Sequence, residues 1–351
     1  MLKKAIHRTI HITYLIIKVN WIKLFIFHSK KSNNIIWIFP SYPSNFYAYI
    51  AGNDLLNDLA LIQSFIHEGL SFKIKYGPKI GGLSKKNIFY TISRRFNIYN
   101  LSNHSSTMLN VISELTKQNN ILFPSLEEAK YWENKSYMHI KFNELNINSP
   151  KTWIIKNNKE LINVIDDVKF PCLMKECNSS GSAGIYKVHN YSELDNLIKS
   201  KNNEGEYEFL IQSLINMKKD LRVIFVDKEI VLHYWRINEE KEWKPTSTGF
   251  GSKVDFDSFP DFWLDEILKI IRSLNLRTGA FDICWDDDDT SNTPIILEVS
   301  PSYQPNPKLP LKWRNIKYSQ FKSKLTYYVE YINIVFTIKH KLVKLYLKEI
   351  K

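Results

Sequence analysis

The sequence predicts an α+β body built on antiparallel sheet, with a small α/β domain ahead of it and basic amphipathic helices at both ends. Three observations lead there. From Phe170 to Ser300, short apolar runs alternate with turn signals and pair off as three hairpins. From Asn34 to Tyr76 the apolar pattern runs strand, helix, strand, the order of an α/β unit. Finally, the positive charge is confined to the two termini, where lysines interleave with apolar residues at helical spacing.

Size and composition set the bounds. The chain has 351 residues, 44% hydrophobic and 24% charged, enough to bury a core divided over two or three subdomains. With 11 glycines, 13 prolines and no repeat of fixed period, it is neither disordered, collagen-like nor a repeat protein. Cys172, Cys177 and Cys284 suit neither a disulfide framework nor a closed zinc site, and read as buried thiols in a reducing, cytoplasmic compartment. The formal charge is +12, unevenly spread. Residues 1–33 carry seven bases and no acid, residues 308–351 eleven bases and two acids, and residues 34–307 thirty bases and thirty-four acids. A slightly acidic middle argues against a nucleic-acid groove across the main domain.

Taken in order, Ile10–Phe27 (IHITYLIIKVNWIKLFIF) is apolar but interrupted by His11, Lys18, Asn20 and Lys23. A spanning helix needs about 20 mainly apolar residues, and each central Lys costs about 2.5–3.5 kcal/mol. The segment 1–33 is therefore expected to form an amphipathic helix rather than a span, and without a small-residue cleavage site it does not resemble a signal peptide. A small α/β domain over 34–130 follows: strand Asn34–Pro40, helix Asp54–Gly69 stopped by its glycine, strand Ser71–Tyr76. The turn after the first strand, PSYPSN, lacks G-x-G-x-x-G, so dinucleotide binding has no support. A helix is expected over Leu126–Leu145, closed by Ser149-Pro150 before the extended run Lys151–Ile155.

Beyond Phe170 come the hairpin FPCLMKEC–NSSGSAG–IYKVHN, helix Tyr191–Ser200, the strand FLIQSLI and a hairpin turning near Asp227-Lys228. A helix over Phe262–Leu274 precedes the strands GAFDICW and PIILEVS, joined by the acidic turn DDDDTSNT. Residues 311–351 hold a second basic amphipathic helix. Packing on the domain is the plainer use of both terminal helices. The alternative is an anionic membrane surface, into which Trp21, Phe25, Phe27 and Tyr346 could insert.

Two features carry chemistry. Lys175 ends an apolar strand and is followed by Asn178–Gly184, whose small residues let backbone N–H groups approach phosphate oxygens beside the lysine charge. The order is not that of a Walker A loop, and a Ser/Gly hairpin tip with a surface lysine is the competing reading. Asp282 and Glu298 lie on strands joined by a hairpin, each among apolar residues. Carboxylates facing into such a site are costly unless paired or metal-bound, so a shared Mg²⁺ rationalises both, whereas strand alternation equally allows them to face solvent. His189 and His233 have no His or Cys partner at ligand spacing.

The order Lys135, Pro150, Lys175 with its Ser/Gly loop, IQSLI at 211–215, Asp220-Leu-Arg222, Arg236, Gly249, Asp282 and Glu298 resembles the ATP-grasp fold, and within it the branch of ribosomal-protein glutamate ligase and glutathione synthetase. The resemblance spans roughly Lys135 to Ser300. It implies an ATP-grasp domain over 131–310, with a small lid subdomain at about 150–207 and a core at 208–310. It also implies ATP and Mg²⁺ as cofactors. Lys135, Lys175, Ser180, Gly181 and Ser182 would meet the phosphates; Gln212, Ser213, Leu214 and Ile215 the adenine; Asp220 the ribose. Arg222 and Arg236 match the arginines that stabilise a transferring phosphoryl group or acyl phosphate, and Asp282, Glu298 and Ser300 the metal ligands. The segment KPTSTGFGSK (244–253), with Thr248 and Gly249, is similar to a mobile segment near the acceptor pocket.

Two departures bear on substrate and metal count. Glu298-Val299-Ser300 stands where the family usually has Glu-x-Asn, and a hydroxyl is a weaker neutral Mg²⁺ ligand than an amide carbonyl. SPSYQPNP replaces the usual exit toward the acceptor. The resemblance implies an ATP-dependent carboxylate–amine or carboxylate–thiol ligase, with a small-molecule carboxylate and an amine-type acceptor as partners, and the basic ends would suit a role in cell-envelope or surface-polysaccharide modification. An ATP-grasp phosphotransferase and a non-catalytic, membrane-docked nucleotide-binding scaffold are the alternatives.

Overall fold

A computed structural model describes residues 2–38, 53–77, 80, 82–92, 104–179, 182, 184–201, 208–240, 242–313 and 315–350. The chain folds as two compact units, one of Met1–Trp132, Phe225–Val231 and Pro301–Lys351, the other of Glu133–Ile224 and Leu232–Ser300.

The first unit is built on a parallel sheet. Its strands are β1 (Asn34–Ile38), β2 (Lys73–Tyr76), β3 (Asn87–Phe89) and β4 (Ile121–Phe123), in the order β2-β1-β3-β4. Alternation along each strand feeds two layers. Ile35, Trp37, Ile88 and Leu122 pack with Met108, Ile112 and Leu115. On the opposite face Phe89 stacks on Phe123 at 4.9 Å and meets Phe65 at 4.7 Å, and Phe123 meets Tyr346 at 4.6 Å. The rings belong to this sheet, to the helix Asn53–His67 (α3) and to the long C-terminal helix. The PSYPSN turn lies outside the described residues.

The expected N-terminal helix is two helices, α1 (Leu2–Lys18) and α2 (Trp21–Phe27), bent by 48°. The break comes at Asn20, whose side chain accepts from Lys23 N and caps α2. At the other end the helix starts only at Leu325 and runs to Ile350, after the helices α4 (His104–Lys117), α5 (Leu126–Ala129) and others described below. Tyr331, Val335, Ile338, Leu342 and Tyr346 bury one stripe of it. No single described helix is long and apolar enough to cross a membrane.

The stretch Leu126–Leu145, expected to be one helix, is two. A Ser125–Glu128 capping box opens α5, and a second helix, α6 (Lys135–Glu144), starts under an Asn134 cap. Between them Glu133 sits at φ +46°, which an uninterrupted helix cannot accommodate.

The second unit holds two antiparallel-built sheets. One contains β5 (Thr152–Ile155), β6 (Cys172–Glu176), β7 (Ile185–Val188) and β8 (Phe209–Ser213) in the order β5-β8-β6-β7, with helices α7 (Asn158–Val164) and α8 (Tyr191–Lys201). The other contains β9 (Lys219–Val226), β10 (Glu229–Ile237), β11 (Lys253–Asp255), β12 (Thr278–Cys284) and β13 (Ile295–Ser300), in the order β11-β10-β9-β12-β13. The helix α9 (Leu264–Ser273) precedes β12. Cys172, Met174, Phe209 and Ile211 fill the core of the four-stranded sheet with Leu161, Leu194 and Ile198. Their alternate neighbours, Leu173, Lys175 and Gln212, therefore point the other way, into a cleft. After α9 the chain ends in α10 (Tyr318–Phe321) and α11 (Leu325–Ile350), in the first unit.

Candidate active site

Two sheets of the second unit line a cleft of about 620 Å³. Its walls divide by chemistry. Leu173, Ile185, Leu214, Ile215, Met217 and Leu297 are apolar, whereas Lys175, Asp220, Arg236, Asp282 and Glu298 carry charge. An apolar slot beside a dense set of charges suits a flat heteroaromatic ring joined to a polyanion.

The charges are placed by strand register. Asp282 on β12 is directly opposite Glu298 on β13, with a register shift immediately after Asp282. Opposed like charges on neighbouring strands destabilise the pair unless something positive lies beside them. Two arginines do. Arg222 Nε and Nη2 donate to Asp282 Oδ1 and Oδ2 at 2.8 and 3.1 Å, and Arg236 Nη2 reaches Asp282 Oδ2 at 2.8 Å. Arg236 also forks onto Asp220, its Nε 2.8 Å from Oδ1 and its Nη2 on Oδ2, and Thr246 donates to the same carboxylate. Burial drives the Asp282 carboxyl upward, but Arg222 and Arg236 outweigh it and hold the group below the ordinary carboxylate value.

Lys175 is the contrasting case. It is only 8% exposed, and its Nζ makes no hydrogen bond or ion pair among the described residues. Burial brings it down to about 8; Glu298 pulls against this and Lys135 adds to it. A desolvated ammonium without a partner at the wall of a cleft is an unsatisfied charge awaiting an anion. Lys135 is committed elsewhere: its Nζ donates to the Ser179 carbonyl and to Ser179 Oγ at 3.0 Å, holding the base of the Ser/Gly loop.

Gln212 has a fixed orientation. Thr152 Oγ1 donates to the Pro150 carbonyl at 2.7 Å, so it accepts from Gln212 Nε2 at 2.9 Å. His139 Nε2 lies 3.2 Å from the same amide nitrogen. Burial, with Lys175 and Lys135 nearby, lowers His139 to about 3, so the ring is neutral, its proton on Nδ1, and Nε2 accepts the second amide hydrogen. Both amide hydrogens are thereby used, and Gln212 presents its Oε1 as an acceptor. Replacing Gln212 by Leu is expected to cost about 1–3 kcal/mol, by stranding Thr152 and His139; chemical denaturation measures it.

The loop after β6 returns through Gly184 at φ +71°, whose carbonyl accepts from Glu176 N at 2.8 Å. A Cβ there would lie 2.8 Å from Glu176 Cδ. Gly184→Ala is therefore doubly opposed, by conformation and by contact. It is expected to destabilise the protein by about 1–3 kcal/mol and to weaken nucleotide binding, in thermal-shift and titration measurements.

Of the residues singled out in the sequence, Lys175, Ser182, Gln212, Ser213, Leu214, Ile215, Asp220, Arg236, Asp282 and Glu298 line this one cleft. Lys135, Arg222 and Ser300 are not on its wall; Arg222 acts on it through Asp282, and Ser300 stands opposite Ala280. Ser180 and Gly181 lie outside the described residues. Within 244–253, Thr248 and Gly249 form a short 3-10 turn, and it is Pro245 and Thr246, with Trp243 before them, that line the cleft. Pro245 and Thr246 fall in the segment whose resemblance placed it near the acceptor pocket, whereas Trp243 precedes it and carried no such signal.

This geometry has a counterpart among known families, for the model of the RimK-like ATP-grasp domain matches residues 133–304. These residues are a RimK-like ATP-grasp domain. Two curated ligases match in part: coenzyme gamma-F420-2:alpha-L-glutamate ligase of Methanocaldococcus jannaschii, 31% identical over 101 residues (27% of this chain, 34% of the relative), and D-alanine–D-alanine ligase of Prochlorococcus marinus, 26% over 181 residues (48% and 50%). The matches thus span a third to a half of those relatives. Among solved structures, D-alanine–D-alanine ligase of Bacillus anthracis complexed with ATP is similar, with TM-score 0.52, 11% identity and coverage of 89% of this chain and 98% of that one. Macrocyclase MdnC of Microcystis aeruginosa, bound with its precursor peptide MdnA, gives 0.53, 12%, 89% and 99%. At such identity the likeness is one of fold, and it confirms the expected α+β, ATP-grasp architecture.

Proposed function

We propose that this chain is an ATP-dependent ligase that joins a carboxylate to an amine or thiol through an acyl phosphate. The observation that carries the reading is the conjunction, in one cleft, of the registered Asp282–Glu298 pair, the arginines bound to Asp282, and the unpaired Lys175.

The all-oxygen donor set of Asp282 and Glu298, with the Ser300 hydroxyl on the same strand face, fits a hard divalent cation such as Mg²⁺. Such an ion, when bound, neutralises charge on the β- and γ-phosphate oxygens. The chain's own residues do the rest. The apolar wall and the Gln212 acceptor hold the adenine, and Lys175 pairs with the phosphates. Arg236 lines the cleft, held by Asp220 and Asp282, so its guanidinium is already placed beside the site where negative charge develops, and Arg222 keeps Asp282 in position. The substrate carboxylate oxygen attacks the γ-phosphorus and ADP leaves; the nucleophile then attacks the acyl carbon and inorganic phosphate leaves. The Asn178–Gly184 loop and the segment 244–253 are the candidate lids that exclude water from the acyl phosphate. The basic ends suit a role for this ligase in cell-envelope or surface-polysaccharide modification.

ATP, Mg²⁺ and pooled small carboxylates, amino acids and sugar acids, incubated with hydroxylamine, test the reading. Hydroxamate formed by the wild type and absent with Asp282→Asn is the expected result. ADP formed with the phosphate left on an acceptor, and no hydroxamate, would replace the ligase by a phosphotransferase.

A further inference from the structure

The N-terminal helices present an apolar surface that the fold does not use. Along α1, His11 and Leu15 face inward, as does Val19 in the break after it, and Tyr14 donates to Asn333 of α11 at 3.0 Å. The opposite side is open. Ile17 is 73% exposed, Ile22 78%, Phe25 80% and Ile26 70%, with Trp21 at 40% beside them. None of the seven residues of α2 is buried. A soluble surface tolerates single exposed apolar residues, but a contiguous run of this kind marks an interaction site.

Charge decides what the surface meets. Lys18 and Lys23 lie within the run and Lys30 and Lys31 follow it, and residues 1–33 contain no Asp or Glu. A second copy of the chain would set one all-basic face against another, which like-charge repulsion opposes. A bilayer with anionic headgroups matches both features at once, the side chains entering the acyl boundary and the lysines meeting the lipid charge. Together the bent pair is long and apolar enough for a broken span, but the 48° bend and the charges of Lys18 and Lys23 inside it favour lying in the interface. We infer that α1 and α2 dock this protein onto an anionic membrane surface, with Ile22, Phe25 and Ile26 as the inserting residues. The inference is independent of the ligase reading: failure of ATP turnover leaves it standing, and failure of docking leaves the cleft untouched.

Co-sedimentation of the full chain with vesicles tests it, using an equimolar mixture of phosphatidylglycerol and phosphatidylcholine against phosphatidylcholine alone. The wild type is expected to sediment with the anionic vesicles, less so at high salt, and not with the neutral ones. The variant Ile22→Ser, Phe25→Ser, Ile26→Ser is expected to lose binding about tenfold or more, and Lys18→Glu, Lys23→Glu to lose it on the same vesicles. All five side chains are outside the core, so an unchanged circular dichroism spectrum and unchanged ATP binding exclude misfolding. Vesicle binding that survives the triple serine variant overturns the inference. So does a wild type that ignores vesicles, whether it stays monomeric or forms a dimer that the serine variant dissolves.

Discussion

Replacing Asp282 by Asn is expected to lower ATP turnover by about 10³-fold, because one substitution removes a metal carboxylate and loosens Arg236, which faces the developing charge, along with Arg222 behind it. The carboxylate receives three donor contacts from Arg222 and Arg236 together, and only its full charge holds both guanidinium groups. Nucleotide binding measured without Mg²⁺ should fall far less, since Lys175 and the apolar wall remain. A loss of metal-free binding as large as the loss of turnover would show that Asp282 shapes the cleft and takes no part in the chemistry.

The same residue makes a stability prediction of opposite use. Asp282→Ala leaves Arg222 partly buried without its partner and Arg236 with Asp220 alone, at a cost of about 3–5 kcal/mol. The sign with pH follows from the lowered carboxyl. Its contribution is complete above the unfolded value near 3.8, and is lost only as pH falls through the lower folded value. Urea titrations of wild type and Asp282→Ala should therefore differ by a constant amount across neutral pH and converge in strong acid. Combining Asp282→Ala with Arg222→Met tests the pairing itself, because the second change removes one stranded cation and should restore part of the loss.

What the sequence disclosed tracks how local the signal is. Asp282 and Glu298 stood out as acids within apolar strands, and Lys175 as a lysine at the end of one, because a period of two makes an odd residue visible. Their alignment across β12 and β13 depends on the register at the bulge after Asp282, which no residue type announces. The order of residues resembling ATP-grasp proteins located the cleft, yet gave Lys135 and Arg222 the same standing as Lys175. Only in three dimensions does Lys135 turn to Ser179, and Arg222 to Asp282. The break at Glu133 escaped notice because a positive φ at a glutamate leaves no mark in composition. Trp243, Pro245 and Thr246 sit in a segment without period, so only the resemblance at 244–253, and not the residue pattern, pointed to their side of the cleft.

Lys175→Met is expected to stabilise the unliganded protein while sharply weakening its hold on ATP. In the folded chain the ammonium titrates at about 8, against 10.5 when unconstrained. Keeping it charged at neutral pH thus costs about 3 kcal/mol of folding free energy. The unfolded chain binds the extra proton between those two values, so the wild type gains stability as pH rises from 8 toward 10.5, and the methionine variant does not. Binding should reveal the same charge from the other side. A polyphosphate beside Lys175 restores the proton, so ATP association near pH 8–9 is expected to take up protons, measurable by calorimetry in buffers of different ionisation enthalpy, and its affinity should fall as pH passes about 8. If Lys175→Met is destabilising, or if ATP binds without proton uptake, the lysine is not the unsatisfied cation that the cleft is built around. The trade of stability for an anion is what distinguishes a binding lysine from a structural one, and the two measurements together separate them.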